Sequence, residues 1–293
     1  METKEIVEGA LLAALVTVII IIGFFLPLLG NILLILSPLP IIVAVTRWNS
    51  RLGIIISLVS AFILFILINP GLFLFTVFYT GLLGVSFGAA FDEGFKPKII
   101  IGIGTIAAAS SFLLTFFVVQ YVLHTDITAQ LTEQINLVAQ NYQQLGFSTE
   151  MTKQVSEELI RTLKTTFPTL MLCSGLLIAI LNYYFSINVL SKLDFNYPYQ
   201  LKVEKFRLSK LFILVYLLAL LFNTNPFFNN LYILLTFIFS LQGIAVAYYF
   251  YTNKEISKWY LIVGILFFPL IINLLFFVGI FDLWFDFRNL DDA

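Results

Sequence analysis

The sequence predicts an all-α fold: a polytopic transmembrane helix bundle of about nine spans, amino terminus inside and carboxy terminus outside, with an extracytoplasmic helical hairpin. Three observations carry this expectation. The 293 residues are 60% hydrophobic and 11% charged, with 32 Phe against 16 Lys plus Arg and a mean hydropathy of +0.99. A soluble core of this size needs a charged shell that such a chain does not have, so the solvent is lipid. Nine apolar stretches approach the roughly 20 residues that cross a hydrocarbon layer as a helix, and the connections between them alternate between rich and poor in Lys and Arg.

The stretches are residues 6–25, 32–46, 52–69, 72–91, 99–123, 167–190, 208–221, 228–251 and 259–280. The first is too long for the apolar region of a signal peptide and lacks a small-residue cleavage pattern after it, so it reads as a retained helix. The second is interrupted by Pro27, Asn31, Ser37, Pro38 and Pro40. Regular helix is expected only over 40–48, and 28–39 is left open between helix and loop. With Lys4 inside, the connections carrying Arg47 and Arg51, Lys96 and Lys98, Lys192 to Lys210, and Lys254 and Lys258 all fall on the cytoplasmic side, holding 12 of the 16 basic residues. The outer connections at 69–71 and 223–226 have none, and nine crossings leave the tail outside.

Between the fifth and sixth stretches lies a polar segment, 124–166. It carries apolar residues at helical spacing, Ile127, Leu131, Ile135, Val138, Tyr142 and Leu145, then a stop at Gly146. A second stripe, Met151, Val155, Leu159 and Leu163, follows the candidate N-cap Ser148. The expected hairpin is either a lid or docking surface over the bundle mouth, or a pair of apolar faces covering each other and the bilayer rim. The chain thus divides into a six-helix membrane core (1–123 plus 167–190), the hairpin (124–166), a basic cytoplasmic loop (191–207), three carboxy-terminal membrane helices (208–281) and an extracytoplasmic tail (282–293).

A formal net charge of −1 gives no cationic surface for nucleic acid. The single cysteine, Cys173, permits neither an intramolecular disulfide nor a thiolate metal site. There is no HExxH, GxSxG, Walker A pattern, paired carboxylate or Cys–His pair. No enzymatic activity, cofactor or metal is expected, and ATP chemistry would come from another chain. Glu5, Glu8, Asp92, Glu93 and Glu255 sit at predicted span ends, so no ion-coupling carboxylate is expected within the bilayer.

Uncharged and interfacial polar residues are the remaining candidates for ligand binding: Asn31, Ser37 and Asn69 near the outer face, and Gln120, His124 and Asp126 at the outer end of the fifth span. Asn182, Gln242 and Asn273, inside helices, are expected to hydrogen-bond neighbouring helices. Small-residue pairs, Ala10 with Ala14 and Gly84 with Gly88, and the small residues from Gly102 to Ser111, allow close helix approach within the chain or to a partner. Tyr183, Tyr184, Tyr249, Tyr251, Trp259, Tyr260 and Trp284 fit an aromatic belt.

Two sets of residues carry a family resemblance. Pro168 through Leu181-Asn182-Tyr183-Tyr184 to Lys205-Phe206-Arg207-Leu208-Ser209, with the tail Gly279-Ile280-Phe281-Asp282-Leu283-Trp284-Phe285-Asp286-Phe287-Arg288, resembles the YybS-like family of uncharacterised bacterial multispanning membrane proteins. Ser209 stands where a proline is expected. The first six spans are similar to the S component of energy-coupling factor transporters, through Ala10-x-x-x-Ala14 and Pro38-Leu39-Pro40-Ile41-Ile42-Val43-Ala44. The three later spans and the hairpin have no counterpart there. That similarity implies a small-molecule pocket under Asn31 to Pro38, Asn69 to Gly71 and Gln120 to Asp126, with Ala10 and Ala14 meeting a membrane coupling protein that works with ATPases. Two readings result: a non-enzymatic membrane protein binding a small molecule for uptake or sensing, or a structural or assembly factor recruiting cell-envelope proteins through the outer hairpin. Either places the chain in the bacterial cytoplasmic membrane.

Overall fold

The computed structural model describes residues 3–27, 29–195, 197–199, 201–253 and 268–290. Lys254, Glu255, Lys258, Trp259, Tyr260 and the first half of the ninth apolar stretch lie outside these. Among the described residues the chain is helical without a strand, because in hydrocarbon a helix satisfies its own backbone hydrogen bonds and an open strand does not. The helices are α1 (Thr3–Phe25), α2 (Gly30–Leu36), α3 (Leu39–Arg47), α4 (Ser50–Leu67), α5 (Pro70–Leu74), α6 (Leu82–Asp92), α7 (Pro97–Phe117), α8 (Ile127–Gln144), α9 (Thr149–Lys192), α10 (Leu211–Leu221), α11 (Pro226–Asn253) and α12 (Phe268–Phe285). A π-helical segment, Phe75–Gly81, joins α5 to α6, and another, Val118–Val122, extends α7.

Each of the nine apolar stretches carries helix. Among the described residues seven are long and apolar enough to cross a bilayer: Thr3–Phe25, Gly30–Arg47, Ser50–Leu67, Pro70–Asp92, Pro97–Val122, Thr149–Lys192 and Pro226–Asn253. Leu211–Leu221 and Asn273–Phe285 are shorter. Eleven residues make α10 about 16 Å long, half of the roughly 30 Å hydrocarbon layer. Residues 30–36, left open between helix and loop, form α2; the break falls at Ser37, where Pro38 cannot donate to the carbonyl one turn back.

The chain divides into two compact units, Met1–Ile160 with Ser174–Gln200, and Arg161–Cys173 with Leu201–Ala293. In the first, α1 packs on α4, α2 and α3, and α3 packs on α6 around a core of Ala13, Val16, Ile20, Ile41, Val45, Leu52 and Ile56. Gly84 and Gly88 permit the α3–α6 approach: a Cβ at Gly84 would stand 2.7 Å from Ile41 Cβ, and one at Gly88 2.5 Å from Val45 Cβ. Asn49 and Asn69 cap α4 and α5 by accepting from Leu52 N and Leu72 N at 2.9 and 3.0 Å. Glu5 and Glu8 lie where α1 meets the α3–α4 corner, accepting from Asn49 Nδ2 (3.0 Å) and pairing with Arg47 (2.7 Å).

In the second unit α11 runs against α12 and α10, with Ile213, Tyr216, Leu235, Phe239 and Leu283 as the core. Gly243 and Gly279 let α11 and α12 touch along their backbones, since a Cβ on either would overlap the carbonyl of Leu275 or Phe239.

Three expectations change. The second hairpin helix and the sixth span are one unbroken 44-residue helix, α9, running through Pro168. Ala10 and Ala14 are exposed on α1, so the pair does not pack within the chain; α1 buries Gly9, Ala13, Val16, Thr17 and Ile20 instead. Tyr183 is fully buried, stacked on Phe91 at 5.8 Å, and takes no part in an interfacial belt.

Candidate functional site

The six candidate ligand residues fall on three stretches of chain: α2 and its break, the start of α5, and the corner between α7 and α8. Asn31 is exposed on α2. Ser37 is buried, its Oγ 2.8 Å from Thr80 Oγ1 and donating to Leu34 O at 2.8 Å. Asn69 is the α5 cap already described. Gln120 and Asp126 together start α8: Gln120 Oε1 accepts from Ile127 N at 3.1 Å, and Asp126 Oδ1 accepts from Ala129 N at 2.9 Å. His124 is exposed with φ +52°, forming the corner between α7 and α8. Five of the six therefore have structural roles at a helix end, break or corner. Among the described residues no three His, Cys, Asp or Glu come together in a way that could hold a metal ion.

The helix break in the first unit shows why its polar residues lie inside. Pro38 supplies no N–H to Leu34 O, and Ser37 covers that carbonyl with its backbone N–H as well as its hydroxyl. One residue on, Ile35 O accepts from Tyr79 OH at 2.9 Å and from Asn182 Nδ2 at 3.0 Å. The π-helical turns of Phe75–Gly81 bury Thr76, Tyr79 and Thr80, so a widened helix and α9 supply donors to a proline-broken one. Asn182 thus bonds a neighbouring helix, as expected for such residues.

The second unit holds a group that the sequence reading missed. Arg288 Nη2 and Nε donate to the two carboxylate oxygens of Asp282 at 2.6 and 3.2 Å, and both side chains are fully buried. Gln242 Nε2 donates to Asp282 at 3.0 Å while Gln242 Oε1 accepts from Leu208 N at 3.1 Å. Arg288 Nη1 donates to Glu204 O at 2.8 Å, and Arg207 lies 3.3 Å from Asp286. The local cause is the end of α12. Asp286 adopts a left-handed conformation, φ +43°, which stops the helix and turns Arg288 back towards Asp282. The expectation that no ionisable group lies inside the bundle is therefore corrected: Asp282 is a helical residue, not the start of a tail. The basic loop and the tail, which the charge rule puts on opposite sides of the membrane, meet here through the Arg288 to Glu204 hydrogen bond.

The hairpin departs furthest from expectation. On α8, Leu131, Val138, Tyr142 and Leu145, and on α9, Met151, Val155 and Leu159, each keep between 45% and 75% of their surface exposed. The seam is instead mixed, with small and polar residues beside the half-buried Ile135 and Ile160. Thr152 and Ser156 are the buried residues of the first turns of α9, and Gln143 Nε2 donates to Thr152 Oγ1 at 2.8 Å. Ser148 caps α9 as expected, accepting from Met151 N at 3.1 Å, and Gly146 takes φ +95° at the turn. The two apolar faces thus do not cover each other.

Fold and site together define a polytopic, all-helical integral membrane protein with a polar hairpin and a buried ion pair among its later helices. The chain belongs to the DUF2232 family of predicted membrane proteins, whose family model matches residues 14–283. It is similar to the uncharacterized protein YybS of Bacillus subtilis (strain 168), 23% identical over 308 aligned positions that cover 98% of each chain. No solved structure matches it.

Proposed function

We propose that the protein is a non-enzymatic membrane scaffold: the helix bundle anchors it in the bilayer and the α8–α9 hairpin docks a protein partner. One observation carries the reading, the outward-facing apolar stripes of the hairpin. Exposed apolar stripes on helices whose other faces are polar mark interaction surfaces. The local structural roles of Ser37, Asn69, Gln120, His124 and Asp126 favour this over a ligand pocket at those residues. The test removes residues 127–164, closes the gap with a short Gly/Ser linker and compares both chains by native mass spectrometry after gentle extraction. The intact chain is expected to carry a protein and the shortened one to lose it. A small molecule retained by both, with no protein on either, contradicts the reading.

A second reading, a small-molecule-binding membrane protein working through a coupling partner, is favoured by the exposed Ala10 and Ala14, which offer α1 as a close-packing surface. Replacing both with Leu should then remove a co-purifying membrane partner while the chain still folds.

A further inference from the structure

We infer that the partner of the hairpin is a second copy of this chain, docked face to face as a four-helix bundle; the inference rests on the docking reading above. Helical arithmetic places the two stripes on one surface. At about 100° per residue, the stripe Leu131, Val138, Tyr142, Leu145 lies roughly 90° from the half-buried α8 seam of Thr128, Thr132, Ile135, Ala139 and Gln143. Met151, Val155 and Leu159 lie roughly 100° from the α9 seam of Thr152, Ser156 and Ile160, in the same rotational sense. In antiparallel helices equal displacements in one sense fall on the same side, so the stripes merge into a single apolar face. With Phe147 at the turn, 50% exposed and edge-on to Tyr142 at 5.5 Å, these eight half-exposed residues present a face on the order of 800 Å², most of it apolar. That exceeds the largest patch usual on a monomer, about 300–600 Å², and equals one partner's share of a standard interface.

The bilayer does not cover this face. Helix α9 is unbroken for 44 residues, about 66 Å against a hydrocarbon layer of roughly 30 Å, and its polar portion is the hairpin portion. The hairpin therefore continues the line of a membrane helix, out of the layer. The face is also uncharged: by the same arithmetic Glu133, Lys153, Glu157 and Arg161 fall on the far sides of their helices, and Glu158 only flanks it. An anionic headgroup or nucleic acid would require cations there. A second copy in the same membrane presents an identical face at the same height and in the same direction. A two-fold axis along the membrane normal then closes the contact symmetrically, and two helical hairpins meeting on apolar faces form an ordinary four-helix bundle.

The test is cysteine cross-linking in native membranes of the full chain, whose own Cys173 is buried and sets the baseline. Val155→Cys is oxidised with copper phenanthroline beside Glu157→Cys on the far side. A covalent species of twice the 33.3 kDa chain mass, at least tenfold more abundant for Val155→Cys than for Glu157→Cys and suppressed at least tenfold by adding Leu159→Glu, is expected. A Val155→Cys adduct of another mass overturns the second copy and keeps protein docking. No adduct, with Val155→Cys labelled by a water-soluble maleimide as fast as Glu157→Cys, overturns both.

Discussion

Removing one partner of the buried ion pair should cost far more than removing both. In Asp282→Ala, Arg288 loses two of its three hydrogen bonds while its guanidinium stays fully buried. In Arg288→Met, Asp282 keeps only the Gln242 amide. Leaving one charge of a buried pair uncompensated costs about 3–5 kcal/mol, roughly two to three and a half orders of magnitude in the folding equilibrium. At about 2–4 °C per kcal/mol, each single change should lower the melting temperature by roughly 6–20 °C. The double change removes both charges and so should be no worse than either single one, because the groups are strongly coupled. The chain supplies its own probe: Cys173, its single cysteine, is buried and becomes reactive to a thiol dye on unfolding. A double variant whose loss equals the sum of the two single losses would refute the claim that the charges hold each other inside the bundle, as would single variants that melt with the parent.

Four further outcomes follow from the packing. Gly243→Leu should separate α11 from α12 and melt well below the parent, because its Cβ meets the Leu275 carbonyl, whereas Gly102→Leu, with open space around the Cβ, should melt with the parent. Tyr79→Phe removes one of the two side-chain donors to Ile35 O and should cost about 1 kcal/mol, read by the same thiol assay; a loss several times larger would indicate another role for the phenol. A membrane-impermeant thiol reagent should reach Lys205→Cys and Phe287→Cys from the same side of the membrane, since Glu204 and Arg288 are hydrogen-bonded; labelling from opposite sides would contradict that pairing. Burial pushes the Tyr197 phenol above its ordinary value, its OH donating to Phe95 O at 2.5 Å, so absorbance at alkaline pH should show Tyr197→Phe removing a late-ionising tyrosine; an unchanged titration would place that phenol in open water.

The class of fold was written in the composition, because only lipid tolerates this many Phe and Leu with so few charges. One helix start was legible: Ser148 caps α9 as its position predicts, whereas Asn69 and Asp126, read as ligand candidates, and Asn49, not singled out, prove to be caps as well. The interior of the site was less so. Asp282 and Arg288 are six apart, a spacing that no straight helix brings together, and only the left-handed Asp286 between them folds one onto the other. In the hairpin the apolar stripe is the stronger periodic signal, yet the seam is Thr152, Ser156 and their partners on α8. Small residues at four-residue spacing let the helices approach closely, their hydroxyls bonding carbonyls of their own helix while Gln143 bonds Thr152 across the seam, and the stripe lies outside. Ala10 and Ala14 show the same limit: a small-xxx-small pair reports that close approach is possible, and not which helix approaches.

The most direct test of the scaffold reading is the reactivity of a cysteine on the hairpin face in intact membranes, compared with the same protein extracted and diluted. Leu159→Cys should react slowly with a water-soluble maleimide in the membrane and quickly after dilution, while Glu157→Cys reacts quickly in both. Equal, rapid labelling of the two positions in intact membranes would mean that nothing covers the apolar face and would contradict the account.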